Sequence, residues 1–340
     1  MEAVERAARI LREGGLVGLP TETVYGLAVD ATNEIAVRRM FAVKGRPASH
    51  PVIVHVGDAS FLDAWSRQVP RVAHALADAF WPGPLTIVLP RSERALDVVT
   101  GGQDTVALRV PDHPLALEVL RAFGDGVAAP SANRFGHVSP TTAQHVHDDL
   151  GPDVDLVLDG GPCRVGVEST IVDLATDPDR PRILRTGAVL ATDVARVLGV
   201  PVGVPVGLVP GVPIDGGDPP PPPEEMRVPG THDVHYAPRA GVELVSAEEA
   251  GPRAAELDRP PRRRAVLIAP AGVKAPVLPP EQRLNAPSDP DEFARVLYAL
   301  LRNADALAAD VALVVPPAAS GLGEAVRDRL RRAAGGGRRA

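Results

Sequence analysis

The chain has little cysteine, few aromatic residues and almost no lysine. Its single cysteine, Cys163, excludes a disulfide framework and a zinc site built from several cysteines. No run approaches the ~18 consecutive apolar residues that a transmembrane helix needs. The first twelve residues mix charges with apolar side chains at helical spacing, unlike a secretory signal peptide. The net charge of −7 argues against a globally basic nucleic-acid binder. We therefore expect a cytoplasmic enzyme or binding protein.

What the chain has in excess is proline and glycine, 37 and 32 of 340 residues. Ten of the prolines fall between Pro201 and Pro229. Such a composition favours polyproline II and a semi-rigid or disordered spacer. The sequence therefore predicts a first domain over residues 1–200, a proline-rich linker over 201–238, a small second domain over 239–335 and a frayed tail over 336–340.

Both predicted domains alternate strand-like and helix-like stretches, which indicates an α/β fold. In the first domain the alternation predicts one twisted mixed sheet with flanking helices, and in the second a compact βαβ layer. The predicted strands are 16–19, 24–29, 51–56, 85–89, 105–110, 126–129, 155–158, 170–174, 182–184, 265–268 and 311–315. The predicted helices are 4–12, 34–43, 71–80, 115–123, 142–149, 193–198, 291–303 and 323–333.

Sequence signatures of the common cofactor sites are missing. The chain has no Walker A motif and no Gly-x-Ser-x-Gly elbow. Gly321-Leu322-Gly323 begins like a dinucleotide fingerprint, but Val326 stands at the third glycine position, which favours a turn. His145 and His147 lie two residues apart in a predicted helix, so they cannot share one metal-binding face.

Polar residues instead follow several predicted strands. After the first strand, Thr21, Glu22 and Thr23 form either a ligand cradle or an ordinary turn with capping side chains. Lys44 ends a predicted helix, where its charge complements the helix dipole. Alternatively, Lys44 and Arg46 lie on one side of an extended chain and bind polyphosphate.

Three further polar stretches lie at strand ends. Ser131 and Asn133 are two apart in a predicted extended stretch and can hydrogen-bond one ligand. Arg109 ends a predicted strand, and Glu168-Ser169-Thr170 begins another. Together these groups predict a crevice that binds anions and hydroxyl groups.

These residues, in this order, resemble the YrdC-like domain. The matching stretches are Pro20-Thr21-Glu22-Thr23-Val24-Tyr25-Gly26-Leu27, Lys44-Gly45-Arg46-Pro47, Ser131-Ala132-Asn133 and Glu168-Ser169-Thr170-Ile171-Val172-Asp173. The stretches Pro229–Pro238 and Gly321–Leu330 are similar to the hinge and the second domain of two-domain threonylcarbamoyl-AMP synthases. The resemblance implies a YrdC-like catalytic domain followed by a smaller Rossmann-like domain.

The resemblance also implies an activity. The family makes threonylcarbamoyl-AMP and pyrophosphate from L-threonine, bicarbonate and ATP, with Mg²⁺ as the cofactor. A downstream transferase complex then moves the threonylcarbamoyl group to an adenosine of certain tRNAs. The low lysine content and the net charge favour weak or no direct tRNA binding by this chain.

Roles carry over by motif position. The resemblance implies that Lys44, Arg46 and His50 hold the ATP phosphates, and that Ser131 and Asn133 lie between the two substrates. The implied catalytic residues are Lys44, Arg46, Ser131 and Asn133. The implied ATP-binding residues are Lys44, Arg46, His50, Thr105, Asn133, Thr141, Arg185 and Tyr236. The implied threonine-binding residues are Thr23, His55, Arg109, Ser131 and Ser169. No direct protein ligand to the metal is implied, because the phosphates of ATP hold Mg²⁺. Neighbouring hydroxyl groups compete at 139–142 and at 169–170.

Some residues depart from the family pattern. Thr231 stands where the family often has methionine, and Asp233-Val234 replace basic residues before His235-Tyr236. The linker is hypothesised to gate the site. Two alternatives remain open: a non-catalytic RNA-binding module, and a carbamoyltransferase that handles carbamoyl-adenylate, although a single cysteine leaves no room for the zinc fingers of the latter.

Overall fold

The computed structural model describes residues 1–204, 226–230 and 236–335. These residues form two compact units. The first consists of the described parts of Met1–Phe135, Pro140–Arg164 and Glu168–Thr231, and the second of the described parts of Gly136–Ser139, Val165–Val167 and His232–Ala340. Most of the predicted linker, residues 205–225 and 231–235, and the predicted tail at 336–340 lie outside the described residues.

In its described part, the first unit contains nine strands and eight α-helices. The strands are β1 (Val17–Leu19), β2 (Gly26–Asp30), β3 (Ile53–His55), β4 (Leu85–Pro90), β5 (Thr105–Arg109), β6 (Val127–Ala128), β7 (Leu156–Val157), β8 (Thr170–Asp173) and β9 (Arg182–Arg185). The helices are α1 (Glu2–Arg12), α2 (Glu34–Lys44), α3 (Leu62–Trp65), α4 (Arg71–Phe80), α5 (Asp97–Thr100), α6 (Pro114–Phe123), α7 (Ala143–Leu150) and α8 (Ala191–Leu198).

The nine strands form one sheet in the order β7-β1-β2-β6-β3-β5-β4-β8-β9. Neighbours pair in parallel at β1/β7, β3/β5 and β4/β8, and antiparallel elsewhere, so the sheet is mixed. The predicted mixed α/β sheet is confirmed. Each predicted strand and helix of this unit is present, with ends that agree within two residues.

The two faces of the sheet carry different clusters. On β5, Val106 and Leu108 enter the main core with α2 and α4, while Ala107 points to the opposite face. On that opposite face, α1 and α6 cover β1, β2 and β6. Over β3, β4, β5 and β8 the same face carries a small apolar cluster against which Val228 packs. We call this region, with the polar side chains of the same strands that point to it, the Val228 face.

A segment within the predicted linker, residues 226–230, is fixed to the first unit. The backbone N–H of Arg227 donates to Gln103 Oε1 at 2.7 Å, and Gln103 Nε2 donates to the carbonyl of Arg227 at 2.9 Å. Val228 is 5% exposed. These contacts place residues 226–230 along the edge of the Val228 face.

The second unit contains a four-stranded parallel sheet in its described part. Its elements are β10 (Gly241–Leu244), α9 (Ala250–Leu257), β11 (Ala265–Ala269), β12 (Arg283–Asn285), α10 (Pro290–Ala306), β13 (Val311–Val314) and α11 (Gly323–Gly335). The strand order is β10-β13-β11-β12. Sequence periodicity missed β10, α9 and β12. Helix α9 contains Gly251-Pro252, which favours a turn, but proline is tolerated in the first turn of a helix.

Candidate active site on the first unit

A tight turn follows β1 and presents polar side chains to the Val228 face. Thr21 Oγ1 accepts the backbone N–H groups of Thr23 and Val24, both at 3.2 Å, and donates to the carbonyl of Val24 at 2.6 Å. The capped turn that the sequence allowed is therefore present. The same turn also holds Glu22 and Thr23 in buried positions, so capping and a ligand cradle are not exclusive here.

Glu22 forms a buried ion pair with Arg109 at the end of β5. Arg109 Nη2 lies 2.6 Å from Glu22 Oε1, and the side chains are 4% and 0% exposed. The N–H groups of Arg109 Nη2 do not point toward Glu22 Oε1. Neither oxygen of the Glu22 carboxylate therefore receives a directed hydrogen bond from the residues that the structure describes. Arg109 Nη1 donates to Thr23 Oγ1 at 2.9 Å. Three side chains thus meet around one guanidinium.

His55 lies beside this pair on the neighbouring strand. Its backbone is in register with Arg109 in the parallel β3/β5 pair, and its side chain is buried. Burial, followed by the positive charge of Arg109, lowers the pKa of His55 to about 3. The imidazole is therefore neutral at physiological pH and adds no second positive charge beside Arg109.

Ser169 enters the same face from the loop before β8. Its Oγ lies 2.7 Å from Thr86 Oγ1, and Arg185 Nη2 donates to it at 3.0 Å. Thr170, by contrast, donates to the carbonyl of Val189 and accepts its N–H. Of the two competing hydroxyl groups, that of Ser169 lies among the polar residues of the site and that of Thr170 binds the backbone.

Arg185 joins Ser169 to the segment 226–230. Its Nε and Nη2 donate to the carbonyl of Ser169 at 3.0 and 2.9 Å, and its Nη1 donates to the carbonyl of Pro229 at 2.8 Å. All three nitrogens of the guanidinium therefore donate to protein oxygens, and Arg185 connects the segment 226–230 to the site.

Lys44 ends α2 and points into the protein. Its Nζ donates to the carbonyls of Ser131 and Asn133, the latter at 2.5 Å, and the residue is 2% exposed. Desolvation, followed by the charge of Arg46, lowers the pKa of Lys44 well below its usual value. Gly45 adopts a left-handed conformation with φ 63°, so the prediction that Lys44 ends a helix is confirmed and the alternative of an extended Lys-x-Arg stretch is wrong. The chain turns instead, since α2 continues through Lys44.

The Ser131–Asn133 stretch is a turn and not an extended strand. The N–H of Asn133 donates to the carbonyl of Ser131 at 3.0 Å, and Asn133 Nδ2 donates to the carbonyl of Arg134 at 2.7 Å. The prediction that this stretch is extended is therefore wrong. Lys44 Nζ donates to the carbonyls of both Ser131 and Asn133 and so holds the turn.

Arg46 and His50 lie in the loop that follows. Arg46 Nη2 donates to the carbonyl of Pro51 at 2.7 Å, and its guanidinium lies over the ring of Phe41. The ring of His50 lies 5.4 Å from that of Phe135. Backbone and aromatic contacts thus order this cationic loop.

The remaining predicted nucleotide residues are more dispersed. Thr105 begins β5 and shares a face with Arg109, about 13 Å away at ~3.3 Å per residue. Thr141 Oγ1 lies 3.4 Å from His145 Nδ1, while Thr142 caps α7. Tyr236 lies in the second unit, where its ring stacks on Tyr298.

The structure therefore brings Thr23, His55 and Arg109 together, Ser169 with Arg185, and Lys44 with the Ser131–Asn133 turn. Sequence reasoning placed Glu22 in a candidate ligand cradle but assigned it no substrate, and it missed Thr86. Glu22 lay within the recognised motif, where a carboxylate between two threonines after a strand was the available signal. Thr86 carries no sequence signal, because its place depends on the pairing of β4 with β8.

The other chemical features of the described chain are few. Among the described residues, no group of three or more histidine, cysteine, aspartate or glutamate side chains converges on a point where a metal ion would bind. None of the described helices combines the length and apolar character needed to cross a bilayer. Cys163 is buried, and burial raises the pKa of its thiol. It therefore packs as an unreactive side chain.

Two family models match the chain. Residues 9–187 match the family described as telomere recombination. Residues 194–335 match the C-terminal domain of threonylcarbamoyl-AMP synthase.

Similar proteins cover nearly the whole chain. A threonylcarbamoyl-AMP synthase of Pyrococcus abyssi is 40% identical over 97% of this chain and 93% of its own length. One of Bacillus subtilis is 38% identical over 98% of this chain and 93% of its own length. The crystal structure of P. abyssi Sua5 complexed with L-threonine superposes with a TM-score of 0.84 at 36% identity, covering 98% of this chain and 94% of that one.

Proposed function

The chain belongs to the threonylcarbamoyl-AMP synthase family and is an adenylate-forming enzyme of tRNA modification, and we propose that L-threonine, bicarbonate and ATP react on the Val228 face of its first unit. The observation that carries this assignment is the buried Glu22–Arg109 pair, whose carboxylate lacks directed donors from the described residues.

A free amino acid matches this pair in charge. Threonine carries an ammonium and a carboxylate next to each other, and Glu22 and Arg109 present the opposite charges next to each other. The ammonium would supply the N–H donors that Glu22 lacks. The carboxylate would bind Arg109 with the hydroxyl of Thr23. Neutral His55 would line the pocket without a competing charge, and Ser169 would complete it.

The nucleotide would lie on the side of the α2–β3 loop. Arg46 and His50 would neutralise its phosphates. Lys44 would hold the Ser131–Asn133 turn and reach a phosphate by exchanging one of its two carbonyl partners. Further contacts with the nucleotide would come from Thr105, Thr141 and Arg185 of the first unit, and the role implied for Tyr236 stays a prediction.

In the proposed reaction, the threonine ammonium first releases one proton to solvent, and its amine then attacks the carbon of bicarbonate. A second proton of the amine leaves with the bicarbonate hydroxyl as water, which gives a carbamate. An oxygen of the carbamate then attacks the α-phosphorus of ATP, and the bond to the β-phosphate oxygen breaks to release pyrophosphate. Negative charge builds up on the leaving group. The protein contributes by holding the two substrates in line and by fixing positive charge near the phosphates.

Magnesium would enter with the nucleotide. The described residues offer no convergent carboxylate set for a resident ion, and Glu22 is already paired with Arg109. Magnesium bound to the phosphates would neutralise their charge. We further propose that the product passes to a separate transferase complex and that this chain binds tRNA weakly or not at all.

The test is turnover by the full chain with ATP, labelled bicarbonate and each amino acid. We expect pyrophosphate and a labelled adenylate that depend on threonine. Arg109→Gln should raise the KM for threonine at least tenfold, with a smaller effect on the KM for ATP. Arg38→Gln, which removes an exposed arginine on α2, is the matched control and should leave both unchanged. Tight RNA binding without turnover would contradict the assignment.

A further inference from the structure

The second unit contains a cavity that the catalytic reaction does not explain. It has a volume of about 520 Å³ and opens at the carboxyl ends of β10 and β13. Its wall includes Leu244 at the end of β10, Ser246 just after it, Val315 and Pro316 after β13, and Arg327 and Arg331 on α11. This volume falls within the range of about 300–1,000 Å³ typical of small-molecule sites.

The chain leaves the two strands beside this cavity in opposite directions. From β10 it runs to α9, which packs with Leu267 and Leu313 on one face of the sheet. From β13 it runs to α11, which packs against β10 and α10. The alternate buried residues Val266 and Val314 point to this other face.

The cavity therefore lies at a topological switch point. In open parallel α/β sheets, ligands bind in the crevice beyond the carboxyl ends of the strands where successive connections diverge. The ends of β10 and β13 are aligned, since Leu244 pairs with Val314 and the N–H of Val245 continues the ladder to the carbonyl of Val314 at 3.0 Å.

The charges on the cavity wall have one sign. Both charged residues that line it, Arg327 and Arg331, are four apart on α11 and so share one side of the helix. Arg327 Nε donates to the carbonyl of Pro317 at 2.6 Å, which holds the guanidinium beside the loop after β13. A guanidinium pair of this kind suits a phosphate group.

The remaining wall is ordered and mostly apolar. The N–H of Glu249 donates to Ser246 Oγ at 3.2 Å, and the N–H of Ser246 donates to the Glu249 carboxylate at 2.9 Å. This reciprocal pair has the pattern of a capping box, and it holds the Glu249 carboxylate on the loop backbone. Leu244, Val315 and Pro316 supply a surface on which a planar base can pack.

We propose that this cavity binds a mononucleotide, with its phosphate on Arg327 and Arg331 and its base against the apolar wall. The proposed ligand combines the two features that the wall presents: an anion that two guanidinium groups can bind, and a flat apolar part. The wall of this cavity shares no residue with the proposed catalytic site.

The experiment is photolabelling of the full chain with 8-azido-AMP, followed by mapping of the labelled peptides. We expect saturable labelling within residues 239–335 that AMP competes away. R327Q/R331Q should reduce that labelling at least tenfold, and R331Q alone, which changes an exposed side chain, should reduce it severalfold. R262Q, which removes an exposed arginine that is not part of the wall, should leave it unchanged.

Labels outside residues 239–335 report the proposed ATP site, so the labelled peptides distinguish the two sites. The proposal is overturned if residues 239–335 take no saturable label, or if the label persists in R327Q/R331Q with an unchanged circular dichroism spectrum. Competition by inorganic phosphate as strong as that by AMP would also overturn it, because the base would then contribute nothing. Protection by single-stranded RNA but not by AMP would indicate an RNA surface instead.

Discussion

The Glu22–Arg109 pair gives the sharpest test of the site. In Glu22→Gln the guanidinium of Arg109 stays buried without its counter-charge. Both side chains are at most 4% exposed, so solvent does not screen the loss. Two unit charges about 4 Å apart interact by ~4 kcal/mol at an effective dielectric constant near 20. Breaking one partner of a buried pair costs about 3–5 kcal/mol.

We therefore expect Glu22→Gln to lower the free energy of unfolding by about 3–5 kcal/mol, measured by urea denaturation. The double variant Glu22→Gln/Arg109→Met should lose less than the sum of the two single variants, because it removes both charges. Glu22→Gln should also raise the KM for threonine, since the proposed partner of the ammonium is gone.

Three results would each refute part of this reasoning. A loss below about 1 kcal/mol in Glu22→Gln would mean that water reaches the pair and that it is not desolvated. Additive effects in the double-mutant cycle would mean that the two side chains do not interact. An unchanged KM for threonine with the expected loss of stability would leave the pair structural and would reject its role in binding.

Three further outcomes follow from the same site. The pKa of His55 is lowered to about 3, so the unfolded chain binds more protons as the pH falls from about 6.5 to 3. Stability should therefore fall in this window, by roughly 4–5 kcal/mol from this group, and His55→Gln should flatten the acid limb in denaturant titrations at several pH values. Lys44→Met should abolish turnover and lower the free energy of unfolding by about 1–3 kcal/mol, because two carbonyls lose their donor. Lys44→Arg should not restore turnover, because the longer planar guanidinium does not fit the same position. Ser169→Ala should mainly lower kcat/KM, whereas Thr170→Val should mainly lower the free energy of unfolding. Steady-state kinetics and urea denaturation of the same preparations measure the two effects.

Local pattern predicted the first unit well for a physical reason. Its strands are short apolar runs bounded by glycine and proline, and its helices have clear ends, such as the Asn33 cap and the left-handed Gly45 of α2. The second unit has weaker local signals. Its edge strand β10 is only partly buried, so its apolar pattern is weak. Gly251-Pro252 is typical of a turn, although it lies in the first turn of α9.

For the site, too, the sequence predicted some features and not others. The motifs at Thr21–Thr23, Lys44–Arg46 and Ser131–Asn133 were visible in the sequence because they are short and lie beside strand or helix ends. Their geometry was not visible. Alternation suggested that Lys44 and Arg46, and likewise Ser131 and Asn133, lie on extended chain, but Lys44 is helical and the second stretch is a turn.

By itself, the sequence determined the family, the α/β class and the order of the polar stretches, since these depend on residue identity and local periodicity. Only the tertiary structure decided which polar groups meet. Glu22 and Arg109 are 87 positions apart along the chain, and burial makes them a pair. The scarcity of lysine shows the same division. The sequence marked Lys44 as unusual, but only the packing of α2 against the Ser131–Asn133 turn decided that its amine would hold two carbonyls.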